Sequence, residues 1–376
     1  MTPAAVRVLH LCAGNLYGGV ERIVASCAAD RALCPVMQPV FATCFDGRLA
    51  GEIDATGASC ARLGPVRASR PWTIGRARRA LAAVLKTERP DVVICHSAWA
   101  FGLAAPVVRR AGAALVLWLH DRVSGTTWPE RWARRTRPDL VIANSRFTAA
   151  SLGALYPALA AEVVYAPVRP DRSGADRAAL RSSLGADERT PVVIVASRFE
   201  PWKGHHALLS ALAPVAEPWQ LWIAGAPQRP EEEARERALR DHATALGIGQ
   251  RVRFLGERRD VAACLRAADI HCQPNTGPEP FGLAFVEALL AGLPVVTTAL
   301  GGALEIVTTE CGVLVPAGDA GGLTAALRKL IGDAGERRRL GEAGPARAQA
   351  LCDPARQLAA LAAALVGTLP AAAVQA

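Results

Sequence analysis

Short uninterrupted runs of valine, isoleucine and leucine alternate along this chain with longer stretches whose apolar residues recur every three to four positions. The runs predict strands at 6–11, 40–44, 92–95, 115–119 and 140–143, and the helical spacing predicts helices at 20–29, 73–86, 101–109 and 147–155. Strands that are apolar on both faces and joined by helices belong to parallel sheets covered on both sides. Residues 167–177 break the pattern with proline, glycine and charge, and read as a linker. The alternation then restarts, with strands at 192–196, 221–224, 252–255, 269–272, 295–298 and 313–315. Helices fit at 205–213, 231–246, 261–267, 281–291 and 323–331. The expected organisation is α/β: one doubly wound domain over 1–168, a second over 169–353, and a helical tail over 354–376 that packs back onto the body. Such sheets bind ligands at the carboxyl ends of their strands, here in a cleft between the two domains.

At 376 residues the chain is long enough to bury two cores, and its 51% hydrophobic and 20% charged content is that of a globular protein. No apolar run approaches a membrane span, and residues 1–11 lack a signal peptide's cleavage region, so the chain reads as cytoplasmic. Ten cysteines are scattered singly, without a Cys-x-x-Cys pair, and read as small buried hydrophobes rather than metal ligands. The pair His205-His206 reads as helix-start surface for the same reason.

Charge changes this picture on one side only. Residues 1–167 hold 20 basic against 11 acidic residues, so the whole formal excess of +9 lies in the first half. Clusters at 76–79 and 131–137 are either solvated helix faces or an attraction for an anionic surface or acceptor. Trp72, Trp99, Trp128 and Trp132 stand near these basic residues, where an anionic membrane surface or core packing would each explain them. No nucleic-acid motif accompanies the charge, and the second half is neutral, so no nucleic acid is expected. Only Lys86, Lys203 and Lys329 are lysine, against 40 arginines, so a lysine at a motif position suggests that a compact ammonium is wanted there.

The candidate chemistry clusters after predicted strands. Glu279 and Glu287 bracket the start of a predicted helix, whose amides at Phe281, Gly282 and Leu283 are suited to phosphate oxygens. A phosphate held beside two carboxylates must belong to a hydroxyl-rich ligand and must find cations elsewhere. Arg198 and Lys203 share one loop after the strand at 192–196, and two cations facing one anion suit a departing diphosphate as well as they suit an ordinary exposed loop. Gly18-Gly19 opens the first helix, where glycines permit close backbone approach, although such a pair also makes a simple turn. His120 ends the strand at 115–119, as a functional group or as a satisfied structural histidine. Gly301-Gly302 is a further turn after a strand.

Together these pieces resemble the retaining glycosyltransferases of family 4, which have two facing Rossmann-like domains (the GT-B architecture), over nearly the whole chain. The stretch from Glu279 to Glu287 matches the paired-glutamate motif of that family. Arg198 with Lys203-Gly204 resembles its diphosphate loop, Gly18-Gly19-Val20-Glu21 its glycine loop, and 311–316 its last strand. Ser197 and Phe199 depart from it, where the family often has glycine and leucine. The resemblance implies a nucleoside-diphosphate sugar as donor and a hydroxyl acceptor, either a carbohydrate, a lipid-linked molecule or a small molecule, with no metal or other cofactor required. It implies that Arg198 and Lys203 hold the diphosphate, that Glu279 contacts the donor sugar, and that Glu287 contacts the ribose. It further implies phosphate binding by the amides of 281–283, a nucleobase beside 252–256, and His120 close to the transferred sugar. An epimerase or hydrolase on the same architecture, or a non-catalytic sugar-nucleotide-binding protein, are the rival readings.

Overall fold

In the computed structural model, which describes residues 5–67, 69–171, 174 and 176–369, every pairing between named strands is parallel. Positions 172, 173 and 175 of the expected linker and 370–376 of the expected tail lie outside the described residues. The chain forms two units, one of residues 1–168 with 352–376 and one of residues 169–351.

The first unit holds seven strands: β1 (Val6–Cys12), β2 (Met37–Thr43), β3 (Cys60–Arg62), β4 (Val92–Cys95), β5 (Ala114–Leu119), β6 (Leu140–Ala143) and β7 (Glu162–Val163). Their order in the sheet is β3-β2-β1-β4-β5-β6-β7, so the direction of winding reverses between β1 and β4. All four residues of β4 are buried, and the fully covered Val8, Leu9 and Leu11 put β1 at the centre. The helix Ala98–Ala111 is buried along most of its length because it packs beneath both the helix Pro71–Glu88 and the helix Trp128–Ala133. Gly102 makes this possible: a Cβ there would lie 2.6 Å from the Trp132 ring. Ser97 starts that helix by accepting the Ala100 amide at 3.1 Å. The last helix, Pro354–Val366, belongs to this unit. Val168 donates to the Cys352 carbonyl (2.9 Å), and the Tyr165 amide donates to the Gln357 side chain (3.0 Å).

The second unit holds six strands: β8 (Val192–Ala196), β9 (Gln220–Ala224), β10 (Val252–Gly256), β11 (Ile270–Gln273), β12 (Val295–Thr298) and β13 (Gly312–Val315). They run β10-β9-β8-β11-β12-β13, with the reversal between β8 and β11. The helix Arg177–Ser183 is anchored by one buried guanidinium. Arg181 donates to the carbonyls of Asp187, Thr190 and Ala267 and pairs with Asp269 at 3.0 Å, so the charge is satisfied on every side.

Nine of the ten cysteines are buried and all are free, as expected of small core hydrophobes. Burial pushes the thiols of Cys27 and Cys44 up to about 12. His205 departs from expectation: it is buried against Phe199 rather than exposed, while His206 beside it is exposed. The helix His205–Leu212 starts after Gly204, itself in a left-handed conformation, and His205 takes its core side together with Leu208 and Leu209. No described helix is long and apolar enough to cross a membrane.

Candidate functional site

The loops after β8, β11 and β12 leave three adjacent strands of the second sheet, and glycines lock them together. The β8 loop ends in a tight turn, Pro201–Lys203, followed by Gly204 at φ +76. A Cβ on Gly204 would overlap the Pro274 carbonyl, so only glycine lets this turn lie against the β11 loop. The Thr276 amide completes the contact by donating to the Trp202 carbonyl at 2.8 Å. On the other side Gly301 bridges Glu279 in parallel fashion, and the Gly302 amide donates to the Glu279 carbonyl at 2.7 Å.

These contacts fix Glu279 beneath three donors. Its Oε2 accepts from Lys203 Nζ (2.9 Å), Asn275 Nδ2 (3.0 Å) and Gln273 Nε2 (3.1 Å). The Lys203 ammonium also lies 3.9 Å from the centre of the Trp202 ring. Glu279 is 7% exposed, so it is a held carboxylate rather than a solvated one. With Oε2 fully engaged, Oε1 is the oxygen left to accept from a ligand hydroxyl.

Arg198 sits differently from expectation. Its guanidinium pairs with the buried Glu232, from the first turn of the helix Pro230–Ala245, and with Glu200 at 3.2 Å. Glu232 is itself held by the Gln228 amide at 2.9 Å. Arg198 and Lys203 are therefore not two bare cations. Each already carries a carboxylate partner that orients it, and an incoming diphosphate would share them.

The helix expected from residue 281 starts two residues later, as Leu283–Leu290. Gly282 takes φ +109 as its N-cap, a left-handed conformation that cannot continue a helix. Within the first turn Phe285 already donates to the Gly282 carbonyl at 2.9 Å, which leaves Leu283 and Ala284 as its unbonded amides. Phe281 is buried instead, and a Cβ on Gly302 would lie 2.7 Å from its Cα. Glu287 is half-buried, one turn beyond Leu283 and on the same helix face, as Phe285, Val286, Ala288 and Leu289 take the core side.

In the first unit, Gly18 caps the helix Gly19–Ala29 after β1. Its amide donates to Glu21 Oε2 at 3.0 Å, and a Cβ on Gly19 would meet nothing within 4 Å, so the backbone there is open to approach. His120 follows β5, and Asn144 donates to its carbonyl at 3.1 Å. Its ring joins a row that the sequence reading missed. His10 Nδ1 lies 2.9 Å from His96 Nε2, and His96 Nδ1 lies 2.9 Å from His120 Nε2. The rings are nearly parallel, with centroids 5.2 Å apart, and Phe41 and Trp118 pack beside the row. Burial lowers His10 and His120 to about 3 and holds His96 well below the usual imidazole range, so the row is neutral near pH 7. The signal for His10 was a polar residue inside an otherwise apolar strand, Val8-Leu9-His10-Leu11. For Gln273 and Asn275 it was two amides straddling a strand's carboxyl end; Glu232, one of three consecutive glutamates, carried none. Among the described residues no group of three or more histidine, cysteine or acidic side chains is placed to hold a metal.

Residues 17–172 match the family model described as Glycosyltransferase Family 4, and residues 176–347 match that of Glycosyl transferases group 1. A phosphatidyl-myo-inositol mannosyltransferase of Mycobacterium leprae is 41% identical over 138 residues, covering 35% of this chain and 34% of that protein. A D-inositol 3-phosphate glycosyltransferase of a Mycobacterium species is 36% identical over 192 residues, covering 49% of this chain and 42% of that one. The chain thus spans between a third and a half of the length of these curated relatives. Among solved structures, Anabaena Alr3699/HepE in complex with UDP and glucose matches with a TM-score of 0.84 at 25% identity, over 96% of this chain and 100% of that one.

Proposed function

The chain belongs to glycosyltransferase family 4, and from that premise we propose that it moves a sugar from a nucleoside-diphosphate sugar to a hydroxyl acceptor with retention at the anomeric carbon. The observation that carries this reading is the arrangement around Glu279: one buried carboxylate oxygen held by Lys203, Asn275 and Gln273, ahead of a helix whose first two amides, those of Leu283 and Ala284, are unbonded. Glu279 Oε1 accepts from a hydroxyl of the donor sugar, and Lys203 and Arg198 share the diphosphate. The amides of Leu283 and Ala284 add the field of a helix N-terminus, which favours phosphate oxygens. Glu287 takes ribose hydroxyls, 252–256 flank the base, and Gly18-Gly19 gives the first unit a close backbone approach to the donor. His120 contacts the transferred sugar.

In the chemical step the bond from the anomeric carbon to the diphosphate breaks, and the bond to the acceptor oxygen forms on the same face. The acceptor's proton leaves to a phosphate oxygen of the departing diphosphate. Lys203 and Arg198 stabilise the negative charge that develops there, so the reading invokes no metal. The UDP and glucose in complex with the Anabaena protein support a nucleotide-sugar donor. The inositol-bearing names of the curated relatives, with the basic first half, support an anionic, hydroxyl-rich acceptor in glycoconjugate synthesis. Of the four tryptophans near that charge, Trp99 and Trp132 pack on the core, whereas Trp72 and Trp128 are 69% and 50% exposed. This supports contact with an anionic membrane, and vesicle sedimentation without preference for anionic lipid would count against it.

A thermal-shift screen of nucleoside diphosphates and their sugars tests the donor reading, beginning with UDP-glucose. Ligand at a hundred times its Kd stabilises the fold by about 2.7 kcal/mol. A stabilising donor would then be assayed for transfer to inositol phosphates and lipid-linked saccharides. No shift with any nucleotide, and no transfer, would overturn the proposal.

A further inference from the structure

The row His10–His96–His120 draws one histidine from each of three neighbouring strand positions, β1, β4 and β5. A neutral imidazole has one N–H and one bare nitrogen, so it donates through one and accepts through the other. This leaves the row two states. If His96 carries its proton on Nδ1, it donates to His120 Nε2 and must accept from His10 Nδ1, so all three rings are protonated on Nδ1. If His96 carries it on Nε2, the same reasoning puts all three protons on Nε2. Any mixture sets two N–H groups, or two lone pairs, face to face across a 2.9 Å contact.

We propose that His10 and His96 are positioning residues that decide which nitrogen of His120 carries its proton. Nothing else in the described protein competes for that decision. His120 Nδ1 and His10 Nε2, the two ends of the row, are both buried without a hydrogen-bond partner. His10 is fully covered, whereas His120 as a residue is partly exposed, so His120 is the end of the row nearer to solvent. The low proton affinity of the rings keeps the row uncharged, and Trp118 beside both His96 and His120 restrains ring rotation. The row therefore ties His120 Nδ1 to the tautomer of a residue two strands away, and whichever state the row takes decides whether a hydroxyl brought to that nitrogen meets a donor or an acceptor. The functional consequence rests on the reading of His120 as a sugar contact; the coupling of the tautomers does not.

The test is nitrogen NMR of the full chain labelled with ¹⁵N-histidine at neutral pH, beside turnover measurements. The expected spectrum shows the same tautomer at positions 10, 96 and 120. His10→Phe, which keeps a ring but removes both nitrogens, is expected to change the His120 tautomer signature and lower turnover about tenfold. His10→Asn, whose amide can bond near the Nδ1 position, is expected to restore both. Different tautomers in the unmodified protein would overturn the proposal, as would an unchanged His120 signature in His10→Phe and in His96→Phe. Should these variants fail to fold, the spectrum of the unmodified chain still decides. If the tautomers agree but His120→Ala keeps full turnover, the sugar-contact reading fails and the coupling stands.

Discussion

Gly204→Ala adds one methyl group where the β8 and β11 loops meet, and its effect can be worked from the contact itself. The backbone there has φ +76, which costs a residue with a Cβ about 1 kcal/mol. The larger effect is steric. The new Cβ would fall well inside the 3.0 Å that real contacts respect, and the obstacle is the Pro274 carbonyl, a backbone group rather than a side chain able to swing away. The loops must therefore part by about an ångström, and a shift of that size at a reacting centre costs on the order of a hundredfold in rate. Lys203 precedes Gly204, and Asn275 follows Pro274, so the displacement falls on the hydrogen bonds at 2.9 and 3.0 Å that hold Glu279. The expected outcome is a drop in kcat of about a hundredfold with the chain still folded by circular dichroism. Steady-state transfer with the donor found by thermal shift measures it. A Gly204→Ala enzyme within threefold of normal kcat would refute the idea that this close approach builds the site.

Glu279→Ala is expected to lose turnover by two orders of magnitude or more, about what a single well-placed electrostatic group contributes, as measured by initial rates at saturating donor. Glu287→Ala is expected to weaken donor binding by about tenfold, the loss of a charged hydrogen bond or two to the ribose, with kcat changed less; calorimetric titration of the donor checks it. Acid is expected to destabilise both units. His10 and His271 are fully buried and lowered to about 3, below the unfolded value near 6.5. Their contribution is complete above pH 6.5 and is lost as pH falls toward 3, because the unfolded chain binds the protons first. Each costs about 1 kcal/mol on going from pH 6.5 to 5.5, about 2 kcal/mol together, readable as a fall in the urea midpoint.

Both sheets were legible because their central strands are apolar on both faces, and β4, β6, β8 and β12 fall where the valine and isoleucine runs placed them. The strands β3 and β7 escaped because they are two or three residues long and partly exposed, which leaves no apolar run to read. The helix Ala334–Cys352 escaped because its glycines, Pro345 and dense charge hide any apolar stripe, so its helicity comes from packing and not from pattern. Within the site, spacing reveals residues that leave a strand's end on one loop, which is why Lys203 and Glu279 were visible. It does not reveal partners brought in from another element. Glu232 reaches Arg198 from a separate helix, and His10 and His96 reach His120 only through the order of strands in the sheet.

The return of the last helix to the first unit has a consequence for the order of events on the ribosome. Residues 169–351 are continuous and hold a complete six-stranded sheet, so everything the second unit needs has been synthesised before the final helix is. The first unit, although its seven strands are made earlier, still lacks Cys352, which receives the Val168 amide, and Gln357, which receives the Tyr165 amide. Closing that gap means joining chain positions 168 and 352, a long loop whose entropic cost falls if the intervening segment is already folded. The unit begun first is completed last, and a chain stopped short of Pro354 would strand a finished second unit on an unfinished first one.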